Sequence, residues 1–216
     1  MPRRTGTHRR NPLKSALTIA VLAALGALAA APGAQAGALV ASAEGCAAPS
    51  LEQPFMPWLD ASNYFLAPNG GFEKGASHWS LDGAAVVNGN EPYYVHGADE
   101  SRSLSIPSGA VATSDTSCVG LNEPTVRLFV KSNTASLLSR LKVEALYEDA
   151  YGNVRSLAIG SIPALTSNSW TPHLPMVIGA NLLALVGDKT PVQFRFTAQG
   201  SASWQIDDVY VDPRYR

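Results

Sequence analysis

Cysteine is nearly absent from this chain of 216 residues, which holds only Cys46 and Cys118. Two isolated cysteines exclude a zinc-finger array, whose ligands come in closely spaced pairs, and no His lies near Cys118 in sequence to support a metal pair or a catalytic thiol. No segment sustains helical periodicity, which removes helix bundles and alternating α/β architectures. The sequence has no Gly-x-Ser-x-Gly elbow, no His-Glu-x-x-His pair and no Gly-rich phosphate loop between a strand and a helix. His78, His96 and His173 are scattered singly, and no pair of carboxylates stands out as a glycosidase acid and base. Apolar runs of the roughly 20 residues that a membrane-spanning helix needs are missing too.

What is present begins with an export signal. Arg3, Arg4, Arg9, Arg10 and Lys14 precede an apolar, alanine-rich run from Ala16 to Ala31, and Ala34-Gln35-Ala36 fits a small-residue cleavage site, so residues 1–36 are expected to be removed and the remainder secreted without a transmembrane anchor. The signal holds five of the sixteen Lys and Arg and none of the acids. Residues 37–216 therefore carry eleven bases against seventeen acids, net −6 with His neutral. With no basic cluster left, nucleic acid is excluded as a partner. An oxidising compartment makes a Cys46–Cys118 disulfide the natural expectation, and its long loop would contribute roughly 4 kcal/mol in the chain-entropy model.

The exported part is long enough for one domain with a substantial core. Residues 37–59 read as an extended lead-in tethered by Cys46, with Pro54 to Trp58 as a short apolar patch packing over one end of the body, which spans 60–216. From Phe72 onward, short β-type runs alternate with Gly, Pro, Asn and Asp, an all-β pattern. Ala84–Val87, Tyr93–Val95 and Ser103–Ile106 are candidate strands. Val126, Leu128 and Val130 alternate with Arg127, Phe129 and Lys131, and residues 141–159 form a hairpin turning at Asp149–Asn153. Arg127 and Arg195 fall on the polar faces of their strands as solvated charges. Asn181–Val186 is ambiguous between strand and helical turn.

Two stretches carry a resemblance. Asn69-Gly70-Gly71-Phe72-Glu73 followed by Trp79, and Trp204-Gln205-Ile206-Asp207-Asp208-Val209-Tyr210-Val211-Asp212 about 135 residues later, resemble the first and last strands of carbohydrate-binding modules of the galactose-binding-like superfamily. The resemblance implies a single β-sandwich of jelly-roll topology that binds glycan without catalysis. It also implies a structural Ca²⁺ held by Glu73 and Asp208, with Asp207 as substitute; a purely hydrogen-bonded role for these carboxylates is the alternative.

Sugar recognition stacks aromatic rings on pyranose faces beside polar groups that bond the hydroxyls. Tyr93, Tyr94, His96 and Trp170 are the candidates, against the simpler reading of tyrosines sitting at the sandwich rim. Two rival functions stay open: an extracellular protein-interaction module on the same fold, and an unrecognised glycan lyase or hydrolase, since the fold alone cannot choose.

Overall fold

The computed structural model describes residues 50–120, 125–149, 151–179 and 189–212, all within the unit Ala36–Arg216. The segment Asn181–Val186, Cys46 and the signal residues lie outside them. Among the described residues a single 3₁₀ turn, Met56–Trp58, precedes thirteen strands. These are β1 (Phe65–Leu66), β2 (Trp79–Asp82), β3 (Ala85–Asn88), β4 (Arg102–Ile106), β5 (Val111–Ser114), β6 (Ser117–Gly120) and β7 (Thr125–Ser132). The chain continues through β8 (Ser136–Glu148), β9 (Val154–Ala164), β10 (Thr171–Pro172), β11 (Met176–Val177), β12 (Lys189–Gln199) and β13 (Trp204–Asp212).

The strands form two antiparallel sheets face to face. In the first the order is β10-β7-β13-β4-β3, with β1 also on β13 and β11 on β7; in the second it is β2-β5-β12-β8-β9, with β6 on β12. Period-two alternation fills the space between them. Leu104 and Ile106, Val126, Leu128 and Val130, and Ile206 from the first sheet meet Ala112, Leu141, Val143, Ala145, Phe194 and Phe196 from the second. The expected hairpin is β8–β9, longer than the sequence suggested. Asp149 Oδ1 accepts from Tyr151 N and Asn153 N, and Gly152 supplies the left-handed residue of the turn.

The two motifs meet. Trp79 is buried between the sheets against Phe72 and Phe196, and its Nε1 donates to the Pro68 and Asn69 carbonyls. The Asn69–Phe72 turn lies on β13, with Val209 N donating to Gly70 O and Ala67 N donating to Val209 O. A Cβ at Gly70 would stand 2.7 Å from Val209 O, so only glycine permits this approach. Opposite the turn, β13 breaks register between Asp207 and Tyr210, and Asp208 takes a left-handed φ of 48°. This bulge turns Val209 into the core and buries both aspartates.

Three expectations are corrected. Tyr93–Val95 is not a strand: the Glu91 carboxylate accepts from the backbone N–H of Tyr93 and of Val95 (2.9 Å), and Tyr94 sits at a positive φ of 52°, so a side chain closes a loop where β propensity pointed to a strand. Phe129 and Arg127 do not face solvent, because the segment around Phe55 folds back over the outer face of β7 and β13. There Phe55, Tyr64, Phe129 and Tyr210 form a second buried aromatic cluster. Arg127, only 4% exposed, stacks over the Phe55 ring and pairs with Asp60 Oδ2 at 2.6 Å. Arg195 is also paired, with Glu144 on the outer face of the second sheet.

Candidate functional site

The outer face of the first sheet carries two polar centres close together along β13. The first grows from the bulge. Asp207 and Asp208 are buried, and two more acids come in from the loop that links β3 to β4: Glu91, at its start, and Glu100, at its end. Glu91, Glu100 and Asp208 each place a carboxylate oxygen within 4.8 Å of the others. Glu91 is held by Tyr93 N and Val95 N, and Glu100 Oε2 accepts from Gly97 N at 3.2 Å. Glu100 Oε1 and both Asp208 oxygens are buried without a partner. Burial, reinforced by Asp207, Glu100 and Glu91, pushes Asp208 up to about 9, and burial raises Glu100 as well.

Such a centre is unfavourable as it stands. Orphaned carboxylate oxygens under apolar cover need protons or a cation. An oxygen-only donor set suits a hard ion such as Ca²⁺, which takes six to eight oxygens, rather than zinc or copper. A Cβ at Gly71 would lie 2.8 Å from Glu100 Oε1 and 3.1 Å from Asp208 Oδ1, so glycine keeps the space beside these oxygens clear. A pocket of about 400 Å³, lined by Gly71, Glu73, His96, Asp99 and Glu100 among others, opens next to it.

Of the expected metal residues, Asp208 belongs to this centre. Asp207 does not: its oxygens accept from Glu91 N and Asp208 N, each at 3.0 Å, which fixes the loop and the bulge. Glu73 lies exposed at the pocket's edge, where Oε1 accepts from Ser101 N (2.7 Å) and Arg102 N (2.8 Å) and ties the Gly-Gly turn to β4. Glu91 and Glu100 were not anticipated, because nothing in sequence connects them to residues more than a hundred positions away. His96 belongs on this side too, with Nδ1 2.9 Å from Glu52 Oε1 and 3.4 Å from the Tyr210 hydroxyl.

The second centre is a groove. Register places Lys131 beside Gln205 and Gln205 beside Ser105, a row across β7, β13 and β4 on the face opposite Val130, Ile206 and Leu104. Asn133, Asn168 and Ser203 extend it to a volume of about 150 Å³. Trp170, leading into β10, stands at its side with the Lys131 ammonium 4.8 Å from its ring centroid. Tyr93, 46% exposed, leans on Trp58 edge to face at 4.8 Å, with its hydroxyl 3.5 Å from the Trp170 carbonyl. Two expected sugar residues, Tyr93 and Trp170, thus come together. Tyr94 is exposed on the same loop, and His96 is diverted to the acidic centre. Lys131, Gln205 and the asparagines escaped sequence reading, since isolated polar residues on a strand carry no signal.

No protein-family model matches the chain, and comparison with curated proteins finds no match. Solved structures do match. A candidate sugar-binding protein of Bacteroides thetaiotaomicron aligns with TM-score 0.50 and 9% identity, over 69% of this chain and 99% of its own length. The chain has the jelly-roll β-sandwich fold. The Clostridium thermocellum xylanase 10B, solved as its carbohydrate-binding and catalytic modules with xylohexaose, aligns at 16% identity and TM-score 0.49 over 68% of this chain, which spans 28% of that protein's length. At these identities the likeness concerns the jelly roll alone, and a jelly roll hosts many activities, so function must be argued from the two centres.

Proposed function

We propose that the protein is a secreted, non-catalytic glycan-binding jelly roll whose binding site is the groove beside Trp170 and Tyr93. One observation carries this reading: partly exposed aromatic rings stand beside a shelf of amides, hydroxyls and a cation. Rings supply faces for pyranose C–H groups, while Gln205, Asn133, Asn168 and Ser105 bond hydroxyls. In the same reading Glu91, Glu100 and Asp208 hold a structural Ca²⁺. Bound there, the ion neutralises the buried carboxylates and ties the β3–β4 loop to the last strand, which in turn sets the position of Tyr93. The Cys46–Cys118 pairing belongs to this proposal as well. Cys118 lies on β6, and no cysteine among the described residues is free.

The test is a glycan array with polysaccharide pull-down, run on the full chain with calcium and with chelator. Saturable binding lost in Trp170→Ala and Tyr93→Ala, and kept in Tyr94→Ala, supports the assignment. A folded protein that retains no glycan overturns it in favour of a protein-interaction module.

A further inference from the structure

The groove is an electrostatic exception. Residues 37–216 have six more acids than bases, yet among the described residues no carboxylate lines this groove. Lys131 is an exception of its own. Among the described residues the other cations that are buried or partly buried have acidic partners: Arg127 pairs with Asp60, and Lys142 and Arg195 both pair with Glu144. Among the described residues no carboxylate oxygen comes within 4.0 Å of Lys131 Nζ, and its ammonium rests on the Trp170 ring instead. Burial depresses its pKa, as expected of an ammonium partly stripped of water with no anion to compensate.

We propose that this groove selects glycans bearing an anionic group, a uronate carboxylate or a sulfate ester, with Lys131 as the counter-charge. The inference rests on the glycan reading above and names the class of sugar. Lys131, Gln205 and Ser105 span two inter-strand spacings, about 10 Å, room for two sugar rings along the row. Asn133 Oδ1 is engaged by Ser203 N at 2.8 Å, which leaves its amide N–H groups as donors; with Lys131 the row is thus rich in donors and poor in the carboxylates that would accept from a neutral sugar's hydroxyls. Discrimination follows from desolvation. A neutral sugar laid over Lys131 strips more water from an unpaired ammonium and returns nothing ionic, whereas an anionic substituent makes a charge-assisted bond in the same place.

The experiment is calorimetric titration of the full chain with polygalacturonate, dextran sulfate, and neutral galactan and xylan, at low and high salt, for wild type, Lys131→Gln and Lys131→Arg. We expect at least one anionic polymer to bind about tenfold more tightly than either neutral one, the preference to shrink with salt, Lys131→Gln to abolish it and Lys131→Arg to keep it. The two anionic arms tell carboxylate from sulfate. Equal binding of neutral and anionic polymers, lost in Trp170→Ala but unchanged in Lys131→Gln, leaves the glycan reading standing and overturns anion selection. Absence of binding to all four polymers overturns both. Matching thermal unfolding of Lys131→Gln and wild type shows that the change is local.

Discussion

The two centres on the outer face of the first sheet lie close along one strand and are built on opposite principles. Around Asp208 four carboxylates are buried, three of their oxygens have no partner, and aromatic side chains and a loop close over the strand. Around Gln205 the same strand is open, and among the described residues carboxylates are absent and one cation lacks an anion. Each centre lacks the charge that would balance it, with opposite sign. Under the proposed function the closed one would hold a small ion that stays, and the open one a ligand that comes and goes. In the proposed function the buried imbalance serves structure and the solvent-facing one recognition.

The largest effect should come from treating the closed half as core. Phe55→Ala removes the ring that joins Tyr64, Phe129 and Tyr210, and urea unfolding should show a loss of about 3–5 kcal/mol, the range for deleting a buried phenyl group. A loss below 1 kcal/mol would mean that the returning segment is not part of the core. Next comes the ion. Calcium at a hundredfold excess over its dissociation constant should stabilise the wild type by about 2.7 kcal/mol in thermal unfolding. Asp208→Asn should abolish that gain and Glu73→Gln should leave it intact; the reverse result would restore Glu73 as a ligand.

Glu144 is the control for a buried carboxylate whose needs are met. Burial alone would raise it, but hydrogen bonds from Arg195, Lys142 and Ser156 outweigh that and hold it at about 2. A folded value below the unfolded one means that its stabilisation is complete above the unfolded pKa of about 4.5 and is lost as pH falls toward about 2. Glu144→Gln should flatten the acid limb of the stability curve in that window, and an unchanged limb would refute the network's role. The smallest effect belongs to the open groove, where Lys131→Gln should change stability by no more than about 0.5 kcal/mol, as for ordinary surface substitutions.

The sequence made the fold legible because its signals are local. Asn-Gly-Gly-Phe before a tryptophan, the period-two run of β7, and the Asp149–Asn153 turn each determine their own backbone. Misreadings arose where a distant segment overrides local pattern. Phe129 and Arg127 look solvent-facing until Phe55 returns across them, and Tyr93–Val95 looks like a strand until Glu91 captures its amides. The candidate site was half legible. Aromatic residues announce themselves by type, so Tyr93 and Trp170 stood out as candidates, and the fold places them side by side. Glu91, Glu100 and Lys131 gain meaning only from what the fold leaves unpaired around them.

Lys131 against Trp170 has an optical consequence. A positive charge at the face of an indole shifts its excited state, so the emission of Trp170 registers where that ammonium is. Trp79 is sealed between the sheets and supplies a constant background, with Trp58 packed on Phe129. Any ligand that draws Lys131 off the ring will change the colour of the protein's own fluorescence, and occupancy of the groove can be followed in solution without a label.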